Sequence, residues 1–100
     1  MELKINDTPD RIFIEMHGDL DGNTSSKAAE DVVSACRSGC HLEIDMAGCR
    51  YVSSAGLRAL LTIGKSVKSG GGRMKLLNMS DEIADIMAMT GFENIFKGLE

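Results

Sequence analysis

Several features are scarce or missing in this chain, and each absence removes a class of function. No cluster of basic residues exists: the 11 lysines and arginines are scattered from Lys4 to Lys97 and are outnumbered by 15 acids, for a formal charge of −4. A phosphate backbone or an anionic membrane needs a concentrated positive face, so neither is expected as a partner. Long apolar runs are also missing. Arg58, Thr62 and Lys65 interrupt the most apolar stretch well before it could span a bilayer. The opening MELKIND lacks the apolar core of a secretory signal, and a cytoplasmic protein is expected. Cysteine is sparse and odd in number, with Cys36, Cys40 and Cys49 only, which favours free thiols over a disulfide framework. Tryptophan is absent and aromatics make up 4% of the chain, against seven methionines. That balance points to a pliable core.

What is present describes one folded domain covering residues 1–100. A hydrophobic share of 43% with 26% charged residues lies in the globular range, and a chain of this length can bury about 60–70% of its unfolded surface. Neither a repeat nor a low-complexity tract appears, and Gly70–Gly72 is too short to link two domains. Leu3 and Ile5, then Ile12, Ile14 and Met16, alternate with polar residues around the turn-forming segment Asn6-Asp7-Thr8-Pro9-Asp10. This is a hairpin pattern. After Gly18-Asp19-Leu20-Asp21-Gly22 the period becomes helical through Ala28, Ala29, Val32, Val33 and Cys36, with Asn23 or Thr24 as N-cap and an end near Gly39.

Alternation returns in His41 to Met46 and runs on into Ser53-Ser54. Leu57, Leu60, Leu61 and Val67 then mark a second helix that stops at the glycine run. Arg73 to Asn78 reads as a strand, Ser80 caps a third helix ended by Gly91, and Phe92 to Leu99 is either a short strand or a last helical turn. Strands alternating with helices after a hairpin predict an α/β fold: a mixed, mostly parallel sheet covered by helices. Function in such sheets gathers at the carboxyl ends of strands. Gly18–Asn23 and Gly48–Gly56 are the two segments placed there.

Within Tyr51-Val52-Ser53-Ser54-Ala55-Gly56-Leu57, small polar residues between a strand and a helix put hydroxyls at a helix N-terminus. A serine there serves first as an N-cap. A capping hydroxyl at a loop tip is also accessible, and free amides with the helix dipole tolerate added negative charge, so it suits phosphorylation. A hydrolase is disfavoured, because the elbow Gly-x-Ser-x-Gly fails at its first glycine and the possible bases, His17 and His41, lie within strand patterns. Cys36-x-x-x-Cys40-His41 with Cys49 lacks zinc-site spacing, and Cys36 falls on the apolar stripe of the first helix. No dinucleotide or Walker motif occurs, so no cofactor is expected. Asp19 and Asp21 are turn formers by default. If their strand neighbours the one ending at Met46, their carboxylates approach Ser54 and could orient its hydroxyl or a metal bound by a kinase.

Four segments in order resemble the STAS domain, and among its members the small stand-alone anti-sigma-factor antagonists of bacteria. Gly18-Asp19-Leu20-Asp21 looks like the family's Gly-x-Leu-Asp turn, Leu42 to Met46 like its central strand, Tyr51 to Leu57 like its phospho-acceptor loop, and Met89-Thr90-Gly91-Phe92 with Ile95-Phe96 like its closing segment. The acceptor loop of the family reads Asp-Ser-Ser/Thr-Gly-Leu. Alignment on Gly56-Leu57 sets Ser54 at the acceptor, Ser53 at the usual aspartate and Ala55 at the usual second hydroxyl, while Asp21 matches the acidic residue near the acceptor. Ser53 thereby becomes a rival acceptor.

The resemblance implies partner switching by a protein that is not an enzyme. The unphosphorylated antagonist binds an anti-sigma factor that is also a serine kinase, phosphorylation breaks the complex, and a metal-dependent serine/threonine phosphatase restores it. The implied docking surface comprises Asp21, Ser53, Ser54, Ala55, Gly56 and Arg58, on a domain that is monomeric when free. Two other classes of function stand beside this one: a STAS module of a scaffold, sensory or lipid-transport complex, and a small enzyme acting through Ser54 or His41.

Overall fold

The computed structural model describes residues 1–100. Alternating side chains form β1 (Glu2–Asp7) and β2 (Ile12–His17), paired antiparallel, followed by α1 (Ser25–Ala35), β3 (His41–Gly48), α2 (Ser54–Ser69), β4 (Arg73–Leu77), α3 (Asp81–Thr90) and α4 (Phe92–Lys97). The sheet order is β1-β2-β3-β4, with β2, β3 and β4 parallel to one another and β1 antiparallel at the edge. The α/β mixed sheet opening on a hairpin is therefore the fold, and the open tail is a helix. No helix is long and apolar enough to cross a membrane.

Both crossovers, β2-α1-β3 and β3-α2-β4, advance in the same direction across the sheet. Right-handed connections then bring α1 and α2 to one face, where they pack together. The strands supply Ile12, Ile14 and Met16, and in register with them Leu42, Ile44 and Met46, all fully buried. Val32, Leu60, Ile63, Ile83 and Met87 of the helices pack onto them within a single cluster of 21 buried residues. Helices cover this face only. The opposite face carries Phe13, Glu15, His17, Glu43 and Asp45, half-buried by one another, with Arg11 paired to Glu43 and set 5.4 Å above the Phe13 ring.

Local chemistry sets most element ends. Ser80 Oγ accepts from the Ile83 amide at 3.2 Å, and Gly91 closes α3 in the left-handed region at φ +83°. Helix α1 departs from the sequence pattern at both ends. Thr24 precedes it without a side-chain cap bond, and the helix stops at Ala35, four residues before Gly39. The carboxylate of Asp21 does the capping instead, accepting from the amides of Asn23 at 2.9 Å and Thr24 at 3.2 Å. A turn precedes α1, so the groups that need satisfying begin earlier than the periodicity does. Cys36 is only half-buried because it lies just past α1, whereas Cys40 and Cys49 are buried and all three are free.

Candidate docking and modification site

Because β2 and β3 are parallel neighbours, the segments that follow them emerge side by side. Three hydrogen bonds stitch them together: Gly18 N–H to the Gly48 carbonyl at 3.0 Å, Leu20 N–H to Tyr51 O at 2.9 Å, and Ser53 N–H to Leu20 O at 2.9 Å. Leu20 and Val52 thus form a parallel bridge with both side chains buried. The adjacency of the Asp19–Asp21 turn and the serine loop, conditional in the sequence, is present.

The two serines differ in their bonding. Ser53 is the N-cap of α2, and its Oγ accepts from the Gly56 amide at 3.2 Å. Ser54 is the first helical residue, is exposed, and its hydroxyl makes no hydrogen bond. The Leu57 amide bonds the Ser53 carbonyl, leaving the amides of Ser54 and Ala55 unpartnered at the positive end of a 16-residue helix. Gly56 is buried, and a Cβ there would collide with the Leu20 carbonyl and lie 2.9 Å from Val52 Cγ1. Only glycine lets α2 start this close to the neighbouring turn.

Around Ser54 the surface is exposed at Arg50, Tyr51 and Arg58. Tyr51, the only tyrosine, is 52% exposed, and sequence reading did not single it out; its one signal is an aromatic in a polar loop, a type enriched at interfaces. A shallow groove of about 440 Å³ continues from this surface between α1 and α2, lined by Ser25, Ser26, Ala29, Ala55, Arg58, Ala59 and Thr62. Nothing in the linear sequence joins those two helix faces. A more enclosed cavity of about 150 Å³ lies elsewhere, between β4, α3 and α4.

Asp21 is half-buried and held within its own turn. Its carboxylate therefore shapes the loop beside Ser54, while Asp19 is exposed and close enough to Cys49 for its charge to act on that thiol. Neither histidine meets Ser54. His41 opens β3 at the far end of the strand, roughly 20 Å away by strand rise, and His17 faces Glu15 with its Nε2 at 3.4 Å. No group of three His, Cys, Asp or Glu side chains converges in a metal-holding arrangement. Burial, together with the hydrogen bond and charge of Cys40, pushes the Cys36 thiol up to about 12. Cys49 is also raised, chiefly by burial.

The STAS domain family model matches residues 2–100. The anti-sigma-B factor antagonist of Bacillus subtilis (strain 168) is 25% identical over 95 residues, which is 95% of this chain and 87% of the relative. Among solved structures, a putative anti-sigma factor antagonist from Thermotoga maritima superposes with a TM-score of 0.82 at 14% identity, over 93% of this chain and 81% of the other. The anti-sigma factor antagonist SpoIIAA in its unphosphorylated form gives 0.69 at 16% identity, over 87% and 82%. These two likenesses concern the fold.

Proposed function

Because this chain belongs to the STAS domain family, we propose that it antagonises an anti-sigma factor with serine kinase activity and is switched off by phosphorylation of Ser54. The observation that carries this reading is the division between the two serines: Ser53 is committed to the helix cap, and Ser54 presents a free hydroxyl beside two unpartnered amides. The Bacillus relative, an anti-sigma-B factor antagonist, supports the class of partner. Docking uses the Gly48–Gly56 loop, Arg58 and the adjoining Asp21 turn. Ala55 and Gly56 contribute backbone and close fit there, and Tyr51 contributes an aromatic anchor.

Transfer of the ATP γ-phosphoryl group to Ser54 Oγ adds about −1.5 to −2 charges. Within the domain that charge meets the N-terminus of α2, where an anion is favourable by about 0.3–1 kcal/mol. Folding is thereby spared. In the complex the same charge must be desolvated against the partner, so it acts on binding. A metal-dependent serine/threonine phosphatase resets the switch, and sigma-factor-dependent transcription in the cytoplasm follows the balance of the two reactions.

Co-purification of the tagged protein from its own cells, incubation with ATP and mapping of phosphate by mass spectrometry tests this. Phosphate on Ser54 with loss of the complex is expected. A complex that persists in ATP without phosphate, or phosphate confined to Ser53, overturns it.

A further inference from the structure

The sheet has two edges, and they are finished differently. At β4 the C-terminal segment returns, and the Met74 amide donates to the Leu99 carbonyl at 2.8 Å. At β1 nothing does so. Every residue of β1 except Leu3 is exposed, and Ile5 and the preceding Met1 are 48% and 39% exposed, among the few large apolar side chains left in solvent. Unprotected edges invite another strand.

The hairpin register says which backbone groups are free. Thr8 N–H bonds the Arg11 carbonyl at 2.9 Å, so hydrogen-bonded pairs alternate from there: Asn6 with Phe13, Lys4 with Glu15, and Glu2 with His17. The N–H and C=O of Leu3 and Ile5 consequently point outward. Their side chains share the helix-covered face with Ile14 and Met16, whereas Glu2 and Lys4 project from the opposite face with Glu15 and His17.

In place of the free monomer expected from the sequence, we infer that β1 docks a second copy of this chain, antiparallel, about a two-fold axis through Leu3. In that register Leu3 exchanges both backbone hydrogen bonds with the partner's Leu3, and Glu2 stands opposite the partner's Lys4, and the reverse. Met1 stands opposite the partner's Ile5. Both charged pairs are of opposite sign, and both exposed apolar side chains gain an apolar neighbour. The partner's Ile5 also comes to the groove of about 240 Å³ between β1 and α1, lined by Met1, Leu3, Thr24, Lys27, Ala28 and Asp31 among others.

Other registers conflict with the same observations. A slip of one residue sets apolar side chains on the polar face. Centring on Lys4 opposes like charges, and centring on Ile5 sets Leu3 against the partner's Asp7. The self-complementary interface is isologous, the usual symmetry of a homodimer, and joins the two sheets into one of eight strands. An interface built on one short strand lies at the small end of specific contacts, so association is weak and concentration-dependent.

Sedimentation equilibrium of the whole chain, up to about one millimolar, tests the inference. A monomer–dimer equilibrium is expected. Lys4→Glu, and separately Glu2→Lys, each weaken it on the order of tenfold by turning both pairs into like charges, and the double exchange Glu2→Lys/Lys4→Glu restores it. Restoration isolates the contact between chains, because the conflict of a glutamate at 4 with Glu15 on the same strand pair persists in the double variant. Circular dichroism checks that all variants fold. Ser54→Ala dimerises like the parent, so failure here is distinct from failure of the phosphorylation reading. A chain that stays monomeric throughout, a dimer indifferent to both charge reversals, or a double exchange that does not restore association overturns the inference.

Discussion

Ser53 and Ser54 are adjacent and chemically identical, and only their places in the cap separate them. Removing the Ser53 hydroxyl leaves the Gly56 amide without its acceptor, so Ser53→Ala is expected to cost about 1 kcal/mol. Ser54→Ala removes no intramolecular bond and is expected to stay within about 0.5 kcal/mol of the parent. Urea denaturation of the two variants measures the difference, and the kinase assay reads them in the opposite order: phosphate is retained in Ser53→Ala and lost in Ser54→Ala. The cysteines make a second residue-scale prediction. Burial raises the Cys36 thiol from its ordinary value of 9.0 to about 12 in the fold, so the native state holds a proton that the unfolded chain releases. Stability from this group is complete below about pH 9 and is lost as pH rises towards 12. Thermal midpoints between pH 8 and 11, on the order of this window, are expected to fall more steeply for the parent than for Cys36→Ala; the comparison cancels alkaline titrations of groups not in contact with Cys36.

At the scale of elements, the geometry around Ser54 depends on how closely α2 approaches the turn after β2. Gly56 sits where a Cβ would meet the Leu20 carbonyl, and Leu20 itself bonds Tyr51 and Ser53. A methyl group at 56 must displace either the helix start or the turn. Gly56→Ala is therefore expected to destabilise the protein by about 1–3 kcal/mol, the usual cost of overpacking, despite the gain in helix propensity. Amide hydrogen exchange is the specific readout: protection at Leu20 and Ser53 falls, while that of Leu42 and Ile44 in the centre of β3 follows global stability. A substitution that lowered all four equally would place the strain elsewhere.

At the scale of the molecule, one core of 21 residues lies beneath all the helices, so the start of α2 and the proposed docking surface are expected to unfold together with it. Truncating the central Ile44, which is fully buried, to Ala is expected to cost about 2–5 kcal/mol, and near- and far-ultraviolet circular dichroism should report one coincident transition. Ser54→Asp gives the contrasting result. Its charge stands in solvent at a helix N-terminus, so the thermal midpoint is expected to shift by only about 5 °C or less, while binding to the proposed anti-sigma partner falls at least tenfold.

The elements and their order were legible in the sequence because each depends on periodicity and capping chemistry carried by near neighbours. Alternation at Ile12, Ile14 and Met16, the Ser80 cap and the Gly91 stop all have local causes. The loop containing Ser54 was legible for the same reason, as was its likeness to the STAS acceptor loop. Which serine caps, which carboxylate is committed and which edge is bare were decided by tertiary structure. Asn23 or Thr24 looked adequate as a cap until the turn after β2 placed Asp21 on the amides first. Helix faces distant in sequence form the groove between α1 and α2. The sequence alone determines local geometry because backbone hydrogen bonds and side-chain periods act over a few residues. Approach between the Leu20 turn and Gly56, 36 residues apart, exists only once parallel pairing has joined β2 to β3.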